Sequence, residues 1–189
     1  MDRSRGGNTA ALHAIRDSRI DALVDYYGPT DFFNESAQGL ATLLLGGDPI
    51  ARGLPGAQFV FDTILTPLRN ADGSANPNAD YAAARIEVAR RSAALFEGDL
   101  PDTQVHHHFR DGTVTVGFSQ AFIAAAEGGG GGSFESFLYG TPIQSQADLN
   151  GAVHRPNGPE ISASIPVVQA FLANRLSIGA SARQSALAL

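Results

Sequence analysis

The spacing of apolar residues changes period several times along the chain, and those changes mark out its elements. Asn8 to Arg16 is alanine-rich with apolar residues at helical spacing, and it follows the short polar opening Asp2-Arg3-Ser4-Arg5-Gly6-Gly7, so a turn running into a helix is predicted. A polar break at Asp17-Ser18-Arg19 precedes Ile20 to Tyr27. Its apolar residues and the closing Gly28-Pro29-Thr30-Asp31 predict a largely buried strand ending in a loop.

From Phe32 to about Phe96 the pattern is helical and interrupted, with helices expected over Ala37 to Leu45, Ala57 to Leu68 and Ala79 to Arg91 and a polar loop over Asn70 to Asn78. This stretch exceeds the connection that a minimal crossover between parallel strands needs, so residues 32–96 read as a helical, cap-like insertion. The strand rhythm returns at Thr103 to His108. A loop around Asp111, a helix from Gly117 to about Glu127 and an aromatic-rich strand from Phe134 to Tyr139 come next. A long polar loop carries His154, and Ser164 to Leu176 has the spacing of a closing amphipathic helix. The expected fold is α/β, with about three parallel strands flanked by helices over residues 1–176 and a tail over 177–189.

Composition narrows the function classes. The net charge of −6 disfavours a phosphate-backbone binder, which needs a basic patch, so no nucleic-acid partner is expected. Having no cysteine excludes disulfides, thiolate catalysis and cysteine-based zinc sites. No apolar run reaches the length of a membrane-spanning helix, and no membrane partner is expected. The run Gly128 to Gly132 lacks a succeeding Lys-Ser/Thr pair and reads as a flexible loop rather than a phosphate cradle. His106, His107 and His108 are strand neighbours that point alternately to opposite faces, so no metal is expected there. Gly6-Gly7 lacks the pattern of a dinucleotide-binding turn, and no cofactor is expected.

The candidate chemistry begins at Ser4, flanked by Arg5 and the small residues Gly6 and Gly7 where a turn enters a helix. Such a serine is either an N-cap or the nucleophile of a strained strand-to-helix elbow, in which the next backbone N–H, that of Arg5, stabilises an oxyanion. The order of the downstream acid and histidine favours the second reading: Asp111 lies in a loop after a strand, then His154 in the loop before the last helix. A serine hydroxyl needs a histidine to take its proton, and the histidine needs a carboxylate to hold its tautomer. His154 also reads as an ordinary surface histidine.

The segments Ser4-Arg5-Gly6-Gly7-Asn8-Thr9-Ala10, Asp25-Tyr26-Tyr27-Gly28-Pro29-Thr30-Asp31-Phe32-Phe33, Val105-His106-His107 with Asp111 and Val114-Thr115-Val116, and Phe134-Glu135-Ser136-Phe137-Leu138-Tyr139 resemble the prolyl oligopeptidase-type branch of the α/β-hydrolases. The resemblance covers about residues 1 to 176. It implies Ser4 as nucleophile, Asp111 as acid, His154 as base and the Arg5 backbone N–H as one oxyanion donor, acting on a peptide or small ester. Phe32, Phe33, Phe59 and Phe61 are candidates for pocket walls, each equally suited to core packing.

The chain departs from that family's pattern at several places. Asp2 stands where the elbow normally begins with glycine, His108 where glycine usually comes after the histidine pair, Thr115 where proline is usual, and the loop from Tyr139 to His154 is longer than usual. The resemblance also implies that the chain is the C-terminal half of the fold, the N-terminal half being an expected partner, with the strand near Ile20 to Tyr26 left partly uncovered. The alternative is a non-catalytic α/β binding or scaffolding module derived from a hydrolase.

Overall fold

The computed structural model describes residues 5–33, 41–42, 45–47, 61–111, 114–140 and 162–175. Helix α1 spans Arg5–Arg16 and strand β1 spans Ala22–Tyr26. A π-helical turn, Phe61–Leu65, runs into a 3₁₀ turn, Thr66–Leu68; helix α2 covers Tyr81–Ala89 and a 3₁₀ segment covers Ala93–Asp99. Strand β2 is Asp102–His108, helix α3 is Val116–Gly129 and strand β3 is Phe134–Tyr139. A last helix, α4, occupies residues 162–175.

Among the described residues the sheet has three strands in the order β1-β2-β3, every pair parallel. The fold is therefore α/β, a three-stranded parallel sheet flanked by helices. Register pairs Asp25 with Val105 and Tyr26 with His106 on one side, and His106 with Phe137 on the other. Side chains alternate across each strand, which assigns the two faces. Leu23 and Val105 join Ala11 and Ala14 of α1, Ala93, Ala94 and Leu100, and Phe122 of α3 in the larger core. Tyr26 and Val24 pack against Val168 and Leu172 of α4 on the opposite face. Alanines at the inner face of α1 let its backbone lie close to the sheet, and Ala11 is wholly buried.

Residues from Thr103 to His108 are all buried, as expected for a central strand covered on both faces. Between β1 and β2, the segment expected as a helix over Ala57 to Leu68 takes the two short turns instead across its described part. Pro67 has no N–H to donate to Thr63, so a regular α-helical ladder cannot run through it. α2 is shorter than the expected Ala79 to Arg91 because Asp80 caps it, its side chain accepting from the Ala83 N–H at 2.8 Å. The described parts of 32–96 are helical turns linked by a polar loop. The rest of the Ala37 to Leu45 and Ala57 to Leu68 segments, and the tail 177–189, lie outside the described residues.

The start of α1 lies close against the end of β1. A side chain at Gly7 would overlap Asp25 Oδ1 and come within 3.1 Å of the Gly28 Cα, and one at Gly28 would come within 2.6 Å of Asp25 Oδ1. Hence Gly7→Ala is expected to destabilise the chain by about 1–3 kcal/mol, the usual cost of overpacking. Gly128→Ala, where an added Cβ meets nothing within 4 Å, is expected to be neutral or stabilising by up to about 1 kcal/mol. Urea denaturation of the two variants checks the pair; equal destabilisation would show that the α1 junction is looser than described.

Candidate active site at the carboxyl edge of the sheet

In a parallel sheet all strands end on one edge, and the loops leaving that edge carry the side chains free to meet a ligand. Two candidate elements converge there. Gly7 and Asn8, in the first turns of α1, sit against Asp25 and Gly28 at the end of β1. The loop after β2 carries Asp111, which is 1% exposed.

The Asp111 carboxyl is held from several sides. Its Oδ1 accepts from the Val114 N–H at 2.9 Å, and its own N–H donates to the His108 carbonyl at 3.1 Å. Oδ2 lies 3.5 Å from His107 Nε2, both side chains being fully buried. His107 Nε2 also lies 2.8 Å from the Val114 carbonyl oxygen, which can only accept, so Nε2 carries the proton. Nδ1 is left to accept from the Ser119 hydroxyl at 2.6 Å. His107 thereby ties β2, α3 and the Asp111 loop together, with both ring nitrogens engaged inside the core. It is not available as a general base.

On the other face His106 repeats the pattern. Gln104 Nε2 donates to Glu135 Oε2 at 2.9 Å, which turns Gln104 Oε1 towards His106 Nε2 at 2.9 Å; His106 Nδ1 then accepts from the Tyr139 hydroxyl at 2.6 Å. The ring is stacked between Tyr26, with centroids 4.6 Å apart, and Phe137, 5.0 Å apart. Burial in this aromatic layer lowers the His106 pKa from 6.5 to about 4. His106 and His107 thus occupy opposite faces with unrelated partners, as strand alternation requires.

Asp25 is wholly buried and faces α1. Burial raises its pKa from 3.8 to about 7, against the opposing effects of nearby His107 and of the Gly28 N–H, which donates to Oδ1 at 3.1 Å. Among the described residues its Oδ2 has no hydrogen-bond partner. No reading of motifs singled out Asp25. The available signal was its parity: within β1 it shares the inward face with Leu23, a position where a lone acid must be buried.

The remaining candidates divide. Arg5 is the first residue of α1, the place where backbone N–H groups lack partners within the helix. Phe32 packs edge-on against Phe118, with Val114 in the same apolar cluster, and its N–H donates to the Ser92 hydroxyl at 3.0 Å. Phe33 is 39% exposed. Phe61 opens the π-helical turn, and its side chain, like Ser4, Phe59 and His154, lies outside the described residues. Among the described residues no group of acidic and histidine side chains is placed to hold a metal ion, and no helix is long and apolar enough to cross a membrane. Compared with models of protein families and with curated proteins, the chain matches none.

The two buried groups with shifted pKa values, Asp25 and His106, have opposite effects on stability. Asp25 binds its proton more tightly when folded, so its contribution is complete below about pH 4 and is lost as pH rises to about 7. His106 binds its proton less tightly when folded, so its contribution is complete above about pH 6.5 and is lost as pH falls to about 4. Asp25→Asn is expected to remove the first and expose the second, giving stability that rises with pH from 4 to 6.5 more steeply than in the unaltered chain. Urea midpoints measured across pH 4 to 7 test this, and parallel curves would refute it.

Proposed function

We propose that the chain is the catalytic segment of a serine hydrolase of the prolyl oligopeptidase type, cleaving a peptide or small ester through an acyl-enzyme. The observation that carries the reading is that the head of α1 lies against the end of β1 while the buried Asp111 loop leaves the end of the adjacent parallel strand β2, at the same carboxyl edge of the sheet. The close approach of Gly7 to the end of β1 further supports it, because a strand-to-helix elbow needs small residues where the helix presses on the sheet. Fold analogy joins these observations to a reaction class, and the substrate remains that of the class.

In this reading the Ser4 Oγ attacks the carbonyl carbon of the substrate as His154 takes its proton. Asp111 keeps the base in the tautomer that can accept it and balances the charge of the imidazolium. The Arg5 N–H, at the positive end of α1, donates to the oxyanion. The proton returns from His154 to the leaving amine or alcohol, and water, activated in the same way, releases the acid. The engagement of both His107 nitrogens supports assigning the base to a separate histidine. The Asp111 carboxylate, anchored by Val114 and backed by His107, has the rigidity an orienting acid requires.

Labelling with a fluorophosphonate probe, in the longest reading frame that contains the chain, tests the assignment. Ser4→Ala is expected to abolish labelling, and Asp111→Asn to slow it by about 10²–10⁴-fold, the effect of losing the orienting acid. Labelling that survives Ser4→Ala would remove Ser4 as the nucleophile. A folded protein that neither labels nor hydrolyses small acyl esters would favour the binding-module reading.

A further inference from the structure

Asp25 fills the junction between α1 and the turn leaving β1. An added Cβ at Gly28 would meet not only its Oδ1 at 2.6 Å but also the Asn8 amide nitrogen at 2.8 Å and Asp25 Oδ2 at 3.0 Å. The carboxyl and the α1 backbone therefore close around one point, with glycine on both sides. Among the described residues Oδ2 is buried there without a hydrogen-bond partner, and so is Oδ1 of Asn8, whose side-chain Nδ2 donates to the Arg91 carbonyl at 3.0 Å. Tyr27, between the carboxyl and Gly28, has a φ of 45°, a left-handed conformation that is strained for a tyrosine. A buried unsatisfied group beside a strained turn is a costly arrangement for packing alone, and its position calls for another role.

We propose that Asp25 is a positioning residue for the nucleophile turn: its carboxyl seats the start of α1 against the end of β1, and a change in its charge shifts that seat. The inference rests on the hydrolase reading only for the identity of what is positioned.

The chemistry comes from the groups that surround the carboxyl. From β2 the group facing it is His107; Gly7 and Asn8 of α1 and Gly28 of the turn carry no charge. The neutral acid suits this dry site, and burial leaves both charge states accessible near neutrality. The ionised form requires another hydrogen-bond donor. Donors at hand are the first-turn amides of α1, which lack acceptors within the helix, and the positive end of that helix attracts the charge. Drawing those amides towards Asp25 displaces Arg5 and Ser4, two and three residues before Gly7. Oxyanion donors and nucleophiles tolerate only small misplacement.

Two measurements decide the matter, the first of them on the 189-residue chain. In ¹⁵N NMR spectra from pH 5 to 9, the Gly7 and Gly28 amide signals are expected to titrate together with a midpoint near neutrality, and to lose that titration in Asp25→Asn, a near-isosteric neutral variant. A Gly7 signal that is flat, or that titrates equally in Asp25→Asn, overturns the inference, and the unaltered chain alone suffices for the first of these. The second measurement, made in the longest reading frame that contains the chain, is the rate of fluorophosphonate labelling at Ser4. The ratio of unaltered chain to Asp25→Asn is expected near one at pH 6 and to change by about fivefold or more at pH 8, because a displaced turn reacts differently. Taking the ratio cancels the titration of the catalytic base; a constant ratio overturns the positioning role. No labelling in either protein, with Gly7 titrating as expected, supports the Asp25 seat and counts against the hydrolase reading alone.

Discussion

The structure depends on one strand that is buried on both faces while carrying mostly polar side chains. β2 presents Thr103, Gln104, His106 and His107 to the interior, and each unsatisfied polar group there would cost about 1–3 kcal/mol. The fold meets that demand with partners from α3, from β3 and from the chain on either side of β2. α3 supplies Ser119 to His107, and β3 supplies Glu135 to Gln104 and Tyr139 to His106. Thr103 turns its hydroxyl back to the Pro101 carbonyl. These bonds require β3 in register with β2, α3 at a fixed height, and the chain after His108 folded back so that Val114 reaches His107.

The position of Asp111 results from that constraint. The loop is anchored because the His107 imidazole needs an acceptor for its Nε2 proton, and the Val114 carbonyl provides it. Val114 in turn donates its N–H to Asp111. A core requirement thereby places a carboxylate at the carboxyl edge of the sheet. The start of α1 reaches the same edge for a different reason, the absence of side chains at Gly7 and Gly28. Asp25 lies between the two, close to both the helix and His107.

Buried ionisable groups on the two faces pull stability in opposite directions. His106, among aromatic rings, is held neutral by losing its affinity for a proton; Asp25, among glycines, keeps its proton up to about neutrality. The common cause is the cost of burying charge. Surface pairs such as Asp17 with Arg19 and Glu87 with Arg91 also lower carboxylate pKa values, but they are solvent-screened, and such pairs are worth little to the fold.

The sequence by itself determined the class of the fold and the order of its elements. Alanine at helical spacing, buried strand runs and polar breaks are local signals, and α1, the three strands and α3 result from them because burial period and secondary structure are two expressions of one geometry. It also identified Asp111 as a carboxylate in a loop after a strand. Local pattern did not reveal Asp25, whose role depends on how closely α1 approaches β1, or the partners that make one of the histidines on opposite faces a structural anchor and the other part of an aromatic stack. Pro67 was visible, yet the helical pattern around it read through the interruption. Only the tertiary structure decided those matters. Hydrogen-bond partners and desolvation come from residues distant in sequence, and a side chain's chemistry is set by what packs around it.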